Sequence, residues 1–221
     1  TMFKSKVRPI VIPQYEHLKL AGALASLWGN ADFERPPIPF DSFVLGIGLH
    51  DRAYGTLDNY PIGEQTEETW LHIARRGFNT TWADPIADLL AKLHIQRLVA
   101  YGPASVRQTL AAEMEARIAA QIDQTGLPAE LFARIDRVTR LCDNLSFHFC
   151  FEAPVEGSVR VFPRYDSDEE VEVHYRVADG VIAVNPWPFS MSSYTGYLIG
   201  YQSNGYPQTL EPVIVPYEVR G

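Results

Sequence analysis

Residues 43–51 read Phe43-Val-Leu-Gly-Ile-Gly-Leu-His50-Asp51, an apolar run that ends in an adjacent imidazole and carboxylate. Asp41 precedes the run and can cap a helix, and the nearly unbroken apolar surface predicts that this helix is buried on several sides. His50 and Asp51 then lie at its inner end. Because imidazole nitrogens and carboxylate oxygens are ligands of divalent metals, the stretch predicts a buried helix that leads into a metal site.

Five further helices are predicted around this stretch from the spacing of apolar residues and from residues that start or stop a helix. Their predicted extents are 14–28, 67–76 with Gly77 as its stop, 85–101 before the Gly102-Pro103 pair, 104–124, and 128–151. Four of the five carry a candidate ligand, and these are His17, His72, His94 and Asp143. The helix at 104–124 carries none, and we interpret it as structural. The helices of a bundle bring such distant side chains together in their shared interior.

Beyond residue 151 the pattern changes to short alternating runs that are typical of strands. The predicted strands are 158–162, 171–177, 181–185, 197–202 and 213–219. Asp179-Gly180 and Asn204-Gly205 favour tight turns, so we expect antiparallel hairpins, and Pro216 suits the last strand to a sheet edge. We therefore predict a mainly α fold, α+β overall, with a helical metal-binding domain at residues 1–151 and a β-rich C-terminal extension at residues 152–221 packed on it.

The chain carries 19 Lys and Arg against 27 Asp and Glu, which is a formal net charge of −8. This balance repels phosphate backbones and anionic membranes, and no basic patch overrides it, so we predict neither a nucleic-acid nor a membrane partner. No apolar run approaches the roughly 20 residues that span a bilayer, and no secretory pattern stands at the N-terminus, which predicts a cytoplasmic location. Cys142 and Cys150 are too far apart along one helix for a disulfide. The oligomeric state stays open, with a homodimer among the alternatives.

The candidate metal ligands offer two kinds of donor atom, neutral imidazole nitrogen and anionic carboxylate oxygen. They are His17, His50, Asp51, His72, His94 and Asp143. This mixture suits one or two ions of Fe, Mn, Ni, Co or Zn better than Ca or Mg, which prefer oxygen ligands. For His72, a polar role near a helix end is an equal alternative.

The order of His17, His50-Asp51 and Asp143 resembles the HD superfamily, which is named for its His-Asp pair. The setting of the last residue, Leu141-Cys-Asp-Asn-Leu-Ser146, is similar to the ligand-bearing final helix of that superfamily. The resemblance covers about residues 10–151. It implies an HD-like α-helical bundle that assembles a metal site from these four residues, with the β-rich part as an extension of the bundle.

Two further histidines, His72 and His94, resemble the binuclear branch of the superfamily, which includes cyclic-dinucleotide phosphodiesterases and mixed-valent di-iron oxygenases such as inositol oxygenase. That resemblance implies that Asp51 bridges two metals, that His17, His50 and Asp143 complete the first, and that His72 and His94 hold the second. Four segments resemble more closely an uncharacterised HD-like family of unknown function. These are Gln14-Tyr-Glu-His17, the residues around His50-Asp51, Leu89-Leu-Ala-Lys-Leu-His94 and Asn185-Pro-Trp-Pro-Phe189.

The leading functional prediction is metal-dependent hydrolysis, of the phosphohydrolase type, of a small phosphorylated or otherwise anionic molecule. A metal-bound hydroxide attacks, Asp51 positions or deprotonates the water as the catalytic residue, and the cations stabilise the charge of the transition state. The candidate substrate-binding residues are Gln14, Tyr15, Arg52, Tyr54 and Arg97. The alternatives are an HD-type di-iron oxygenase and a non-catalytic protein that binds a small ligand or a partner.

Overall fold

Helices occupy the middle of the chain and strands occupy its two ends in the computed structural model. The structure describes residues 2–58, 60–102 and 105–221, without the side chains of residues 56 and 57. The helices are α1 (Gln14–Leu27), α2 (Phe40–Gly48), α3 (Glu67–Asn79), α4 (Pro85–Ala100), α5 (Ser105–Thr125) and α6 (Ala129–Cys150), with a short 3₁₀ helix at Tyr54–Leu57. The strands are β1 (Met2–Lys4), β2 (Ile10–Pro13), β3 (Val155–Val161), β4 (Val171–Ala178), β5 (Val181–Asn185), β6 (Ser193–Gln202) and β7 (Pro212–Arg220).

The strands form one seven-stranded sheet in the order β1-β2-β6-β7-β5-β4-β3, curled into a half-barrel. Neighbouring strands are antiparallel except β5 and β7, which run parallel. The N-terminal strands join the C-terminal ones through β2 and β6, where Ile10 lies opposite Gln202 and Val11 opposite Tyr201. The sheet is therefore assembled from both ends of the chain.

The predicted fold class, an HD-like helical bundle with a β-rich C-terminal extension, is wrong. Helices account for 45% of the chain and strands for 23%, so the architecture is mixed rather than mainly helical. Buried sheet residues such as Val173 and Val215 belong to the same hydrophobic cluster as Leu20 and Leu90 of the helices. The sheet is thus one wall of the common core, because its inner face and the helices exclude water from the same interior.

Helix α2 lies unusually close to its neighbours because glycines face them. A Cβ atom added at Gly46 would lie 2.8 Å from the Leu90 Cβ of α4, and one added at Gly22 of α1 would lie 3.3 Å from the Gly48 Cα of α2. The residues that follow α2, His50 and Asp51, are therefore held between α1 and α4. Helix α6 packs against α1, α4, β3 and β4, which closes the same interior from another side.

None of the helices among the described residues combines the length and the apolar character that crossing a membrane requires.

Candidate metal centre

Four buried side chains from separate elements meet in the interior between α1, α2 and α6. His17 lies on α1, His50 and Asp51 follow α2, and Asp143 lies on α6. One ligand atom from each of the four lies within 4.8 Å of the ligand atoms of the other three. The structure thus brings together the four residues whose order was used to predict a metal site.

Four of the distances between these ligand atoms are those that a single ion spans. His17 Nε2 lies 3.0 Å from His50 Nε2, 3.4 Å from Asp143 Oδ1 and 3.6 Å from Asp51 Oδ2, and His50 Nε2 lies 3.3 Å from Asp143 Oδ1. Ligands bound about 2.1 Å from a transition metal are about 3.0 Å apart at right angles and about 3.4 Å apart at tetrahedral angles. A divalent cation can therefore be held among the four atoms.

The ring of His50 is fixed in the form that binds a metal through Nε2. Its Nδ1 lies 2.6 Å from the carbonyl oxygen of Ile47, in the last turn of α2. Because a carbonyl oxygen only accepts hydrogen bonds, Nδ1 carries the proton and donates it, which leaves the Nε2 lone pair directed at the cluster. The end of the apolar helix thus sets the tautomer of the ligand that follows it.

Gln14 orients Asp51 from the first turn of α1. Its Nε2 donates to Asp51 Oδ2 over 2.7 Å, and both side chains are buried. Gln14 was predicted to contact substrate, and the structure places it against a ligand of the candidate metal. Its part in the site is therefore to fix the direction of that carboxylate, as residues behind metal ligands commonly do.

His94 of α4 contacts the cluster as a hydrogen-bond donor and not as a ligand. Arg97 Nη2 donates to His94 Nδ1 over 2.9 Å, and because arginine cannot accept, Nδ1 must be unprotonated. Neutral His94 then carries its proton on Nε2, which donates to Asp51 Oδ1 over 2.9 Å. Metal binding through Nε2 would need a proton on Nδ1, facing the N–H of Arg97. This arrangement favours an orienting role for His94 beside Asp51, and its role as a metal ligand stays a prediction.

His72 is not part of the cluster. Its side chain is exposed on α3 and lines a separate surface groove with Arg75, Arg76 and Asn79. Glu67 and Trp70 of the same helix line the cleft that opens at Asp51, whereas His72 does not. The second metal position implied by the binuclear resemblance, which needs His72 and His94 together, is therefore not assembled by the described residues.

Burial and the packed charges shift the pKa values of the cluster in opposite directions. Burial alone lowers the pKa of His17, but hydrogen bonds and charge from Asp143 and Asp51 outweigh it and raise that pKa to about 9. Burial alone raises the pKa values of Asp51 and Asp143, yet the surrounding histidines lower both below the ordinary value. Both carboxylates are thus anionic at neutral pH, which suits them to hold a cation.

Two of the predicted substrate-binding residues are engaged in structural contacts. The Arg52 side chain is 6% exposed and pairs with Asp88 over 2.8 Å, while it also donates to the carbonyl oxygens of Gly77 and Thr80. Tyr15 is exposed, and its hydroxyl lies 3.4 Å from that of Tyr201.

A third, Arg97, pairs with Asp136 over 2.8 Å in addition to its bond to His94. The cleft that opens at Asp51 is not lined by Arg52, Tyr15 or Arg97.

A cleft of about 440 Å³ opens onto the cluster at Asp51. Tyr54, the remaining predicted substrate-binding residue, lines this cleft. Its other walls come from the 60–65 segment and from α3, α4, α5 and α6. The lining residues outside the prediction are Ile62, Gly63, Gln65, Glu67, Trp70, Leu98, Arg107 and Phe147. Arg107 lies on α5, the helix interpreted from its sequence as structural. No local pattern marks it, because an arginine on an amphipathic helix is ordinarily a solvated surface residue.

The fold and the cluster together define a mixed α and β protein with a candidate metal centre at the floor of a cleft. Residues 3–196 match the family model described as Protein of unknown function (DUF3891), and the chain belongs to this family. No curated protein and no solved structure matches the chain.

Proposed function

We propose that the protein is a metal-dependent hydrolase that acts on a small anionic molecule, with phosphate esters as the leading substrate class. The observation that carries the proposal is the convergence of His17 Nε2, His50 Nε2 and the Asp51 and Asp143 carboxylates at distances that fit one ion. Of these four ligands, Asp51 is the one that also lines the cleft. A substrate in the cleft is therefore adjacent to the candidate ion.

A divalent ion held by His17, His50, Asp51 and Asp143 would lower the pKa of a coordinated water and polarise a phosphoryl oxygen. The neighbouring protein residues orient the Asp51 carboxylate. Gln14 and His94 donate to the two oxygens of Asp51, which holds the carboxylate in one direction and keeps it anionic. Because its pKa is lowered by the neighbouring histidines, Asp51 is better suited to bind the ion and position water than to remove a proton.

The order of the ligands adds support, since a His, a His-Asp pair and a later Asp resemble the HD superfamily. The di-iron oxygenase alternative depends on a second ion held by His72 and His94. His72 is exposed outside the cluster, and the Nδ1 of His94 accepts a hydrogen bond from Arg97. No observation on the described residues favours that alternative, so hydrolysis is the function we propose.

Metal binding tests the foundation of the proposal. Protein stripped with a chelator is titrated with Mn²⁺, Co²⁺, Ni²⁺ and Zn²⁺ and the bound metal is counted. We expect one ion per chain and a loss of affinity of more than about 100-fold in His50→Gln and Asp143→Asn, since loss of a residue that only hydrogen-bonds to a metal ligand already costs about 10–100-fold. His72→Gln is the matched control, because this histidine is exposed outside the cluster. Equal losses in the control would contradict the site.

Hydrolysis is tested with the metal-loaded protein on 4-nitrophenyl phosphate and a panel of small phosphate monoesters and diesters. We expect phosphate or nitrophenol release that stops with chelator and in Asp51→Asn and that persists in His72→Gln. Release that survives both chelator and Asp51→Asn would count against the assignment. Loaded protein that hydrolyses none of the panel would overturn the phosphate-ester class.

A further inference from the structure

We propose that Arg107 is the residue that receives an anionic group of the substrate in the cleft, and that the substrate is an amphipathic anion with an aromatic or aliphatic body. The inference deepens the proposed function and rests on it for the position of the reacting group at Asp51. It concerns the lining residues of the cleft that are not candidate metal ligands.

Arg107 is positioned on the cleft wall by an aromatic stack. Its guanidinium carbon lies 4.5 Å from the centre of the Trp70 ring, and Trp70 in turn stacks on Tyr54 with ring centres 5.9 Å apart and planes 18° apart. A guanidinium over an indole face is stabilised by a cation–π interaction. All three residues line the cleft, with Asp51 among the other lining residues.

Glu67 holds the guanidinium from one edge. Its two carboxylate oxygens accept from Nε and Nη2 of Arg107 in a bidentate ion pair. Arginine has five N–H groups, so this pair leaves donors unused. Nη1 has no acceptor among the described residues, and the ion pair limits rotation of the group that carries it. Arg107 is thus preorganised to bind an additional anion.

Gly102 provides the space for this arrangement. A Cβ atom added there would collide with the Arg107 side chain, and it would lie 2.7 Å from Nη1. Any larger residue at this position would displace the guanidinium. The backbone at Gly102, just after α4, therefore packs directly against the Arg107 side chain.

The rest of the lining indicates the kind of molecule that fits. Ile62, Leu98 and Phe147 supply apolar surface beside Trp70 and Tyr54, and Arg107 is the cation among the described lining residues. A cleft of about 440 Å³ falls in the range of small-molecule sites. An apolar body with a charged end is complementary to this distribution, whereas a small inorganic anion would leave the aromatic wall uncovered.

The test uses phenylphosphonate as the probe, with methylphosphonate as the anion without an aromatic body, on metal-free protein in the presence of chelator. We expect phenylphosphonate to bind at least tenfold more tightly than methylphosphonate, and Arg107→Gln to weaken its binding at least tenfold. Gly102→Ala should weaken it as well, although every charge is kept. Without metal, the result does not depend on the metal site, so its failure is distinct from failure of the hydrolase proposal.

Arg117→Gln is the matched control. Arg117 lies on the same helix and also stacks on an aromatic ring, 4.8 Å from the centre of Phe78, but it lines a different cavity. Phenylphosphonate binding should be unchanged in this variant. Unchanged binding in Arg107→Gln, or an equal loss in Arg117→Gln, would overturn the assignment of Arg107. Equal affinity for the two phosphonates would overturn the amphipathic substrate class. Arg107→Lys, which keeps the charge without the bidentate pair, should lie between wild type and Arg107→Gln.

Discussion

His50 and His94 carry the same ring and are held in opposite tautomers. The Nδ1 of His50 faces a carbonyl oxygen and donates, whereas the Nδ1 of His94 faces Arg97 and accepts. The partner of Nδ1 thus decides which histidine offers a lone pair to a metal through Nε2. Sequence spacing does not distinguish the two cases, because each partner lies three residues from its histidine and only the structure shows which group Nδ1 contacts.

The first prediction concerns His94. His94→Gln removes the donor to Asp51 Oδ1 but no ligand atom, so we expect the chain to keep one ion and to lose about 10–100-fold in metal affinity. Metal counting at saturation together with titration of the variant checks both parts. A wild-type count of two ions that falls to one in His94→Gln would instead identify this histidine as the ligand of a second metal.

The second prediction is a pH dependence of metal binding. The pKa of His17 in the metal-free fold is about 9, and a histidine must be neutral to coordinate. Binding near neutral pH therefore releases a proton, so the apparent affinity should rise about tenfold per pH unit between pH 7 and 9 and then level off. Titrations in buffers of different ionisation enthalpy measure the released proton. A pH-independent affinity over this range would contradict the raised pKa.

The same shifts set the stability of the metal-free protein. Folding raises the pKa of His17, so its ionic contacts contribute fully below pH 6.5 and that contribution is lost as the pH rises through about 9. Folding lowers the pKa values of Asp51 and Asp143, so their contribution is present above about 3.8 and is lost as the pH falls below it.

Three of the four residues that meet in the cluster have a local signature in the sequence. His50 and Asp51 are adjacent, and His17 lies on the inward face of a helix whose apolar spacing is plain in the sequence. Arg52 illustrates the opposite case. It directly follows a ligand, yet it pairs with Asp88 of α4 and leaves the cleft, because neighbours in a turn point in different directions.

At the scale of elements, the position of α2 depends on glycine. Gly46 faces Leu90 and Ala87 of α4 so closely that a methyl group there would force the helices apart. The helix ends immediately before His50 and Asp51, so a shift of α2 moves both ligands. Close helix packing is thus the structural basis for the precision of the site.

The third prediction follows from this packing. Gly46→Ala should lower the free energy of unfolding by about 1–3 kcal/mol, the usual cost of overpacking, and should weaken metal binding. Gly48→Ala in the same helix is the control, because its nearest contact would be an ordinary 3.7 Å and alanine favours helix. Chemical denaturation and metal titration of both variants check this. A Gly46→Ala protein as stable as Gly48→Ala would show that the helices can separate without cost.

Element boundaries were predictable where the signal is local. Asp84 caps α4, since its Oδ1 accepts from the backbone N–H groups of Ile86 and Ala87. Gly77 was expected to stop α3, but the helix continues to Asn79 because the glycine serves close packing against Ala53. The sequence alone does not distinguish a glycine that ends a helix from a glycine that allows a neighbouring residue to pack closely.

The last strand shows a similar limit. Pro216 favoured a sheet edge, yet β7 lies between β6 and β5. The parallel partner β5 pairs only with the end of β7, from Glu218 to Arg220, so Pro216 lies outside that pairing. A proline is accepted in this interior strand because β5 begins only opposite Glu218, so that Pro216 has no strand partner on that side.

At the scale of the whole molecule, helices and sheet form one structural unit. Glu16, next to the ligand His17, is buried and accepts from the backbone N–H of Ile199 in β6 over 2.8 Å. The helix that carries a ligand is therefore anchored to the sheet. The strands β1 and β2 could not be predicted, because they are three and four residues long and because β2, which joins them to the rest of the sheet, pairs with β6 at the far end of the chain.

The fourth prediction concerns this coupling. A metal that binds the folded state alone stabilises it by about 2.7 kcal/mol at a concentration 100 times its Kd. Because helices and sheet share one core, we expect a single unfolding transition in which far-ultraviolet and near-ultraviolet circular dichroism signals shift together on metal addition. A transition in which the helical signal alone responds would show that the sheet is an independent unit.

The existence of the metal centre is tested most directly by anomalous diffraction from crystals of the protein grown with Mn²⁺ or Zn²⁺. The expected result is one anomalous peak about 2.0–2.2 Å from the Nε2 atoms of His17 and His50 and from carboxylate oxygens of Asp51 and Asp143. A fully loaded crystal with no peak among these atoms, or with its peak at another cluster, would contradict the assignment.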